Sequence, residues 1–443
     1  MTDLLAARSQ MTVSLAFHIL FAVAGMAMPV LMVMAEVRWR RSGDAVYLDL
    51  TRRWARGTAI LFAVGAVSGT VLSFELGLLW PRFMAQAGAV IGMPLSLEGF
   101  AFFTEAIFLG IYLYGWKVVP PWAHLAAGGV VALSGLLSAA FVVSANAWMN
   151  TPAGFDRAAL PAGGRPLRVE PLQAMLNPAS VPQALHMALA AYAAVGFAVA
   201  GIHAGILLRH PGDRFHRAAF GLALLLGAPA ALAEPLSGDW LARMVARRQP
   251  VKLAALEAQW KTEAGAPLRI GGLPDPAART TRWALEIPYG LSLLAYHDPH
   301  AAVRGLDQVA PADWPNVVVV HLAFQVMVAA GAVLALLAAA AGLMAWRRRG
   351  PPTARWLLRA LLLASPLGAI GIESGWLVTE AGRQPWIIQG IMRTADAVTP
   401  MPGLVVPFAA ISCVYLVLGT VVLDLLRRHV RSTLPRGAVD AGA

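Results

Sequence analysis

Apolar residues in this chain do not alternate with polar ones; they come in blocks. Nine blocks run over 11–37, 59–79, 95–119, 122–145, 181–208, 218–236, 317–346, 357–380 and 404–426. About 20 apolar residues suffice for one helical bilayer crossing, so the pattern predicts an all-α integral membrane protein with nine transmembrane helices. The longest interruption, 237–316, carries many charges, prolines and glycines, and a break of that length is expected to be a folded loop domain rather than a linker. The chain therefore divides into helices 1–6 (1–236), a loop domain (237–316), and helices 7–9 with a terminal tail (317–443).

Composition narrows the class. The 443 residues are 58% hydrophobic and only 13% charged, too apolar for a soluble protein. The first block is longer than a signal-peptide core and lacks a small-residue cleavage site before its arginines, so it is expected to be a retained span. The single cysteine, Cys413, excludes an intrachain disulfide framework, a thiolate metal cluster and a covalently attached c-type haem. A metal here must use His, Met or carboxylate ligands.

The net charge of +11 is not a nucleic-acid signal, because the arginines sit in short connections between blocks. With nine spans, one set of connections holds 19 Lys and Arg and the opposite short segments hold 7. The long loop is discounted, since long loops translocate largely regardless of charge. The positive-inside rule then places the N-terminus and the long loop outside.

Ionisable and ligand-type residues interrupt the blocks. His18, Glu98, His186, Met327 and Glu373 all fall in the outer halves of their spans at about 1.5 Å per residue, and intramembrane ionisable residues are functional candidates by default. His124 and His203 lie toward the inner side, and His321 is six residues before Met327 and on another face. A His and a Met at similar depth on different helices can hold a six-coordinate haem, although a Met on an apolar helix more often packs than ligates. Glu98 and Glu105 are two turns apart on one face, the spacing of a proton relay or a cation path. In the loop, Lys252-Leu-Ala-Ala-Leu-Glu257 reads as a short amphipathic helix. Its spacing suits an ordinary solvated face, or a site where Glu257 accepts a proton and Lys252 donates a hydrogen bond.

The stretch Glu373-Ser-Gly-Trp376 followed by Gly382-Arg-Gln-Pro-Trp386 resembles the signature of subunit I of the cytochrome bd-type ubiquinol oxidases. Other matching stretches follow in order: Ser14-Leu-Ala-Phe-His18, Glu98-Gly with Phe102-Phe-Thr-Glu105, Ala145-Asn-Ala-Trp-Met149, Asn177-Pro before His186, Lys252 to Glu257, Ile287-Pro-Tyr289 and Phe324 to Met327. The resemblance implies that His186 and Met327 are axial ligands of a low-spin haem b, Glu373 of a high-spin haem b, and His18 of the oxygen-binding haem, haem d or a b-type haem in its place. It implies that Arg383 helps bind cofactor, that Glu98 and Glu105 bring protons, and that Lys252 and Glu257 form the quinol site of the loop. The implied activity is electrogenic, non-pumping reduction of O2 to water by ubiquinol or menaquinol in a bacterial inner membrane. The implied partners are a subunit II, membrane lipid and a small single-span subunit, with no nucleic acid. The alternative is a haem-poor relative or a transporter using Glu98 and Glu105 as a cation path. Three departures stand out: Gln325 where the family usually has arginine, Ser73 and Glu75 where it usually has an acid and a glutamine, and a short loop.

Overall fold

The computed structural model describes residues 1–156 and 168–434; Arg157, Arg165 and Arg436, used in the charge count, lie outside the described residues. In chain order the helices are α1 (Asp3–Ser42), α2 (Ala45–Leu79), α3 (Pro81–Tyr114), α4 (Pro121–Asn150), α5 (Pro171–Met175), α6 (Ser180–Arg209), α7 (Arg214–Arg248), α8 (Pro250–Leu256), α9 (Gly290–Tyr296), α10 (Val317–Arg348), α11 (Arg355–Ala364), α12 (Leu367–Ala381), α13 (Thr394–Ala397) and α14 (Val405–Arg431). Nine spans are long and apolar enough to cross a membrane among the described residues, with α11 and α12 together forming the eighth. The chain is an all-α membrane protein of nine such helices.

Local chemistry sets the helix ends. Thr2, Asp44, Asp213 and Asn316 accept hydrogen bonds from the first-turn amides of α1, α2, α7 and α10, as good N-caps do. Gly43 closes α1 at φ 69°, a left-handed conformation that glycine adopts without steric cost. Pro366, which cannot continue a helical hydrogen-bond ladder, marks the break between α11 and α12.

Three helices begin or end well away from the apolar boundary, α2 among them, which starts at Ala45 rather than near residue 59. Helix α7 runs through Pro229 and Pro235 to Arg248, 12 residues past the apolar block, because the added turns carry Leu241, Val245 and Ala246 into the loop core. Helix α3 starts at Pro81 rather than near residue 95, burying Phe83, Ala87, Val90 and Ile91 against Ala6, Ala7 and Trp148. Glu98 thus lies mid-helix, roughly 25 Å from the helix start at 1.5 Å per residue, and not near a span end as the apolar block implied.

The bundle packs mainly through helices adjacent in sequence: α6 with α7, α1 with α2 and α3 with α4. Small residues allow close backbone approach, as in other membrane bundles. A Cβ on Gly196 would stand 2.5 Å from the Cα of Gly227. The loop between α7 and α10 is folded: after α8 come three two-stranded antiparallel ribbons, Glu263–Ala264 with Ala302–Val303, Leu268–Ile270 with Leu285–Ile287, and Leu273–Asp275 with Thr280–Arg282. This loop covers one end of the bundle, the loop end.

Candidate functional site

His186 on α6 is fixed by α7. Its Nδ1 lies 3.0 Å from Ser237 Oγ and 3.1 Å from Glu234 Oε1, and Gly238 lies alongside the ring, where a Cβ would be 3.4 Å from Cε1, at ordinary contact distance. His18 on α1 is fixed in the same way by α2: its Nδ1 is 3.0 Å from Ser68 Oγ, and a Cβ on Gly69 would be 2.9 Å from its Cε1. Neither ring makes a hydrogen bond through Nε2 among the described residues. Ligating histidines are commonly held through one nitrogen, leaving the other for the metal. By contrast, His124 engages Glu36 and the Tyr112 carbonyl, and His321 engages the carbonyls of Leu256 and Gly271. Both nitrogens of those two rings are committed to structure.

Met327 on α10 faces α12. A Cβ on Gly375 would stand 3.1 Å from its Sδ, so the glycine permits the approach. Two residues earlier on α12, Glu373 has a buried Oε1 with no hydrogen-bond partner among the described residues. Helices α6 and α10 each pack on both α7 and α12, which brings the elements carrying His186, Met327 and Glu373 into one neighbourhood. No group of three or more His, Cys, Asp or Glu gathers as a metal cage among the described residues. A donor set of isolated axial residues fits a metal that brings its own equatorial nitrogens, as haem does.

Glu98 and Glu105 both face α4. Glu98 stands beside the Ser138 hydroxyl. Glu105 is buried, with Oε1 within 3.5 Å of where Cβ atoms on Gly25 and Gly135 would sit. Larger residues at those two glycines would crowd the carboxyl.

The loop residues are not on a solvated face. Lys252 is 7% exposed and Glu257 4% exposed. The short helix α8 lies under the ribbons, against α7 and α10, which is why both charges are covered. They diverge from each other. Lys252 Nζ donates to Asn150 Oδ1 and, at 3.4 Å, to the Thr379 carbonyl, and it passes over Gly382, where a Cβ would be 3.1 Å from its Cγ. Burial and the nearby Arg383 push its amine down to about 7, against the opposing pull of Glu380. Glu257 ends α8 with a buried, unpartnered Oε2. Burial pushes its carboxyl up to about 7, moderated by the Arg269 guanidinium.

Arg383 folds back over the end of α12, 2% exposed. Its Nη2 pairs with Glu380 Oε2 at 2.6 Å, its Nη1 donates to the Ile387 carbonyl, and Nε has no partner. Glu380 also accepts from Asn146 Nδ2, and Asn146 Oδ1 accepts from Gln183 Nε2 at 3.0 Å. Arg248, Lys252, Asp313, Arg383, Gln384 and Trp386 line a small pocket at this end.

Sequence reasoning missed Glu234, Ser237 and Arg269, and assigned no role to Asn146, within the quoted stretch Ala145-Asn-Ala-Trp-Met149, or to Glu380, at the end of the eighth apolar block. Glu234 had a readable signal, an acid within an apolar block. Ser237 and Arg269 lie past an apolar block and in the loop, where their sequence context is ordinary.

These features define a polytopic helical membrane protein with ligand-type side chains held ready within the bundle and a folded loop carrying buried ionisable groups. Residues 6–434 match the family model "Cytochrome bd terminal oxidase subunit I", and the chain belongs to that family. It is 35% identical over 437 residues, 97% of each chain, to a candidate cytochrome bd menaquinol oxidase subunit I of Bacillus subtilis (strain 168). It is 30% identical over 459 residues, 88% of each chain, to cytochrome bd-II ubiquinol oxidase subunit 1 of Escherichia coli (strain K12). The bd oxidase structure from Geobacillus thermodenitrificans matches with TM-score 0.90 and 36% identity, covering 98% of this chain and 99% of that one. The protein is subunit I of a bd-type quinol oxidase, a multi-pass bacterial membrane protein of a haem-binding respiratory family. As such it works with a subunit II.

Proposed function

We propose that this subunit oxidises quinol at the loop end of the bundle, which faces outward, and uses the electrons to reduce O2 to water with haem that His18 would help hold. The observation that carries this reading is the paired arrangement of His186 and His18, each anchored through Nδ1 by a hydroxyl on the next helix. His186 and Met327 would hold a low-spin haem b, Glu373 a high-spin haem b, and His18 a haem d or a b-type haem. When bound, the haems supply one-electron transfer and an open iron for O2.

The chain's own residues supply the rest. Glu257 accepts a quinol proton, because a carboxyl poised near 7 is a competent base at neutral pH. Lys252, fixed by Asn150, donates a hydrogen bond to the pocket lined by Arg383 and Trp386. Glu98 and Glu105 carry protons through the bundle along the α3–α4 seam. Protons are released outside and taken up from inside, so charge is separated without pumping. The similarity to the Bacillus candidate menaquinol oxidase favours menaquinol, and the Escherichia coli relative keeps ubiquinol as the alternative. A single-span accessory subunit would complete the complex.

The test is a reduced-minus-oxidised spectrum of the purified complex, with organic extraction of the haems and carbon monoxide addition. Haem b together with haem d, or haem b alone, with carbon monoxide binding is expected. Absence of haem would overturn the reading and turn attention to Glu98 and Glu105 as a cation path.

A further inference from the structure

The acid at position 75 stands apart from the haem ligands and the quinol site. Ser73 points outward, its hydroxyl returned to the Gly69 carbonyl at 3.1 Å. Glu75, two residues on, points inward and is 4% exposed. It meets Gln10 and Ser14 of α1 and Tyr415 of α14, whose exposures are 4%, 0% and 4%. All four are nine-tenths buried or more, and each carries an oxygen without a hydrogen-bond partner among the described residues: Gln10 Oε1, Ser14 Oγ, Glu75 Oε2 and Tyr415 Oη. Four orphaned oxygens in one place are unusual, since buried polar atoms are nearly always partnered.

The pattern of bonds made and unmade is informative. Gln10 Nε2 donates to Glu75 Oε1 at 2.8 Å. The other oxygen of each group, Gln10 Oε1 and Glu75 Oε2, is the orphan. If Glu75 is ionised, both orphans are acceptors and neither can satisfy the other. If it carries a proton, Oε2–H can donate to the amide oxygen, closing a reciprocal amide–acid pair. No cation pairs with Glu75 among the described residues, and an unpaired buried carboxylate is expected to neutralise by taking a proton. The titratable group facing it from α14 is Tyr415 and none faces it from α1.

We propose that Glu75 and Gln10 form a proton-binding site at the loop end, in which Glu75 is carried as the neutral acid and exchanges its proton through the Ser14 and Tyr415 hydroxyls. The Ser14 hydroxyl stands beside both Glu75 and Tyr415 and completes a bond with neither. A proton leaving Glu75 binds the Ser14 oxygen as the Ser14 proton passes to Tyr415 Oη and the phenolic proton of Tyr415 passes to water of the aqueous phase at the loop end, so each hydroxyl gains one proton as it gives one up. Gln10, Ser14 and His18 recur every four residues along one face of α1, and Ser68 and Glu75 are seven apart on α2. The site therefore lies about two turns, on the order of 10 Å, toward the loop end from the His18 ring. Glu75 is four residues from the end of α2, close to the aqueous phase on that side. Its role is to hold a compensating proton beside the His18 pocket on the side opposite the Glu98–Glu105 seam.

The experiment is infrared difference spectroscopy of the purified complex in H2O and D2O. Wild type minus Glu75→Gln is expected to show one carbonyl stretch of an un-ionised carboxylic acid that shifts on deuteration. Gln10→Leu is expected to keep that band but move it to higher frequency, because the acid carbonyl loses its hydrogen bond. Haem content, read from the visible spectrum, checks assembly of each variant, and if Glu75→Gln does not assemble the Gln10→Leu shift is decisive. No acid band in the first difference, or no shift in the second, overturns the proposal. Neither readout uses quinol turnover, so failure here is distinguishable from failure of the oxidase reading.

Discussion

Gln325 on α10 grips both sides of the Arg269–Gly271 turn: its Oε1 accepts from the Gly271 amide at 2.9 Å, and its Nε2 donates to the Arg269 carbonyl at 3.0 Å. One turn earlier on the same helix, the two ring nitrogens of His321 lie 3.0 and 2.7 Å from the Gly271 and Leu256 carbonyls. The transmembrane helix that carries Met327 thus holds the end of α8 and the second ribbon of the loop, Leu268–Ile270 with Leu285–Ile287, directly. A neutral amide is suited to this task because it offers a donor and an acceptor together, which an arginine does not. Gln325→Leu should leave a half-buried amide and carbonyl without this partner, costing on the order of 1 kcal/mol locally. The expected result is faster amide hydrogen exchange over 268–271 and a raised KM for quinol, with the haem spectrum retained. Unchanged exchange would show that the loop is held elsewhere.

Arg269 links that turn to Glu257. Its guanidinium bonds Gln259 Oε1 at 2.7 Å and pairs with Glu286 at 2.9 Å, and its charge restrains the rise in the Glu257 carboxyl caused by burial. Glu257 accepts a proton only when ionised, so quinol oxidation should rise as pH increases through about 7. Removing the cation with Arg269→Gln lets burial act unopposed, and the rise should move to higher pH. Glu257→Gln should lower turnover by roughly 10²–10⁴-fold, the usual contribution of a positioned base, without loss of haem. A pH profile of quinol oxidation in the three proteins checks both claims, and an unmoved profile in Arg269→Gln would count against the pairing.

The nine spans were legible because a bilayer demands long apolar blocks, and blocks survive in composition alone. Helix ends were less so: α7 continues to Arg248 and α3 begins at Pro81 because amphipathic turns bury one face against protein rather than lipid, which hydropathy does not register. The ligand-type residues were visible as polar interruptions, but their meaning came from resemblance, since His18 and His124 look alike in sequence. Only the structure separates a ring with one nitrogen held from a ring with both held. The loop was harder still. The spacing of Lys252 and Glu257 suits a solvated face as well as a site, and their burial depends on ribbons whose strands are two or three residues long.

Glu234 and Ser237 should behave as supports of His186 rather than as substitutes for it. His186→Ala or Met327→Leu is expected to remove the low-spin haem signal while the protein still inserts. Ser237→Ala or Glu234→Gln should keep that haem but weaken its retention by about 10–100-fold, the usual effect of losing a partner behind a ligating histidine. A detergent dialysis series followed by the reduced haem b band measures this. Full loss of the signal in Ser237→Ala would make the serine more than a support.

The close contact of α6 with α7 and α12 yields the last prediction. A Cβ on Gly196 would stand 2.5 Å from the Gly227 Cα, and one on Gly368 would stand 2.4 Å from the Ala194 Cα. Both contacts are backbone against backbone, so no side chain can rotate away. Helices in lipid associate through such close packing because there is little hydrophobic drive between them. Gly196→Leu or Gly368→Leu should force α6 outward, displacing the His186 ring from Ser237 and Glu234. The expected outcome is a membrane-inserted protein with reduced haem content and a lowered melting temperature. Gly129→Leu is the control, since a Cβ there meets nothing within 4 Å, and its haem content and melting temperature should match the unmodified chain. Equal losses in Gly129→Leu and Gly196→Leu would mean that any bulky residue in a span disturbs assembly, and that the α6 contacts carry no special weight.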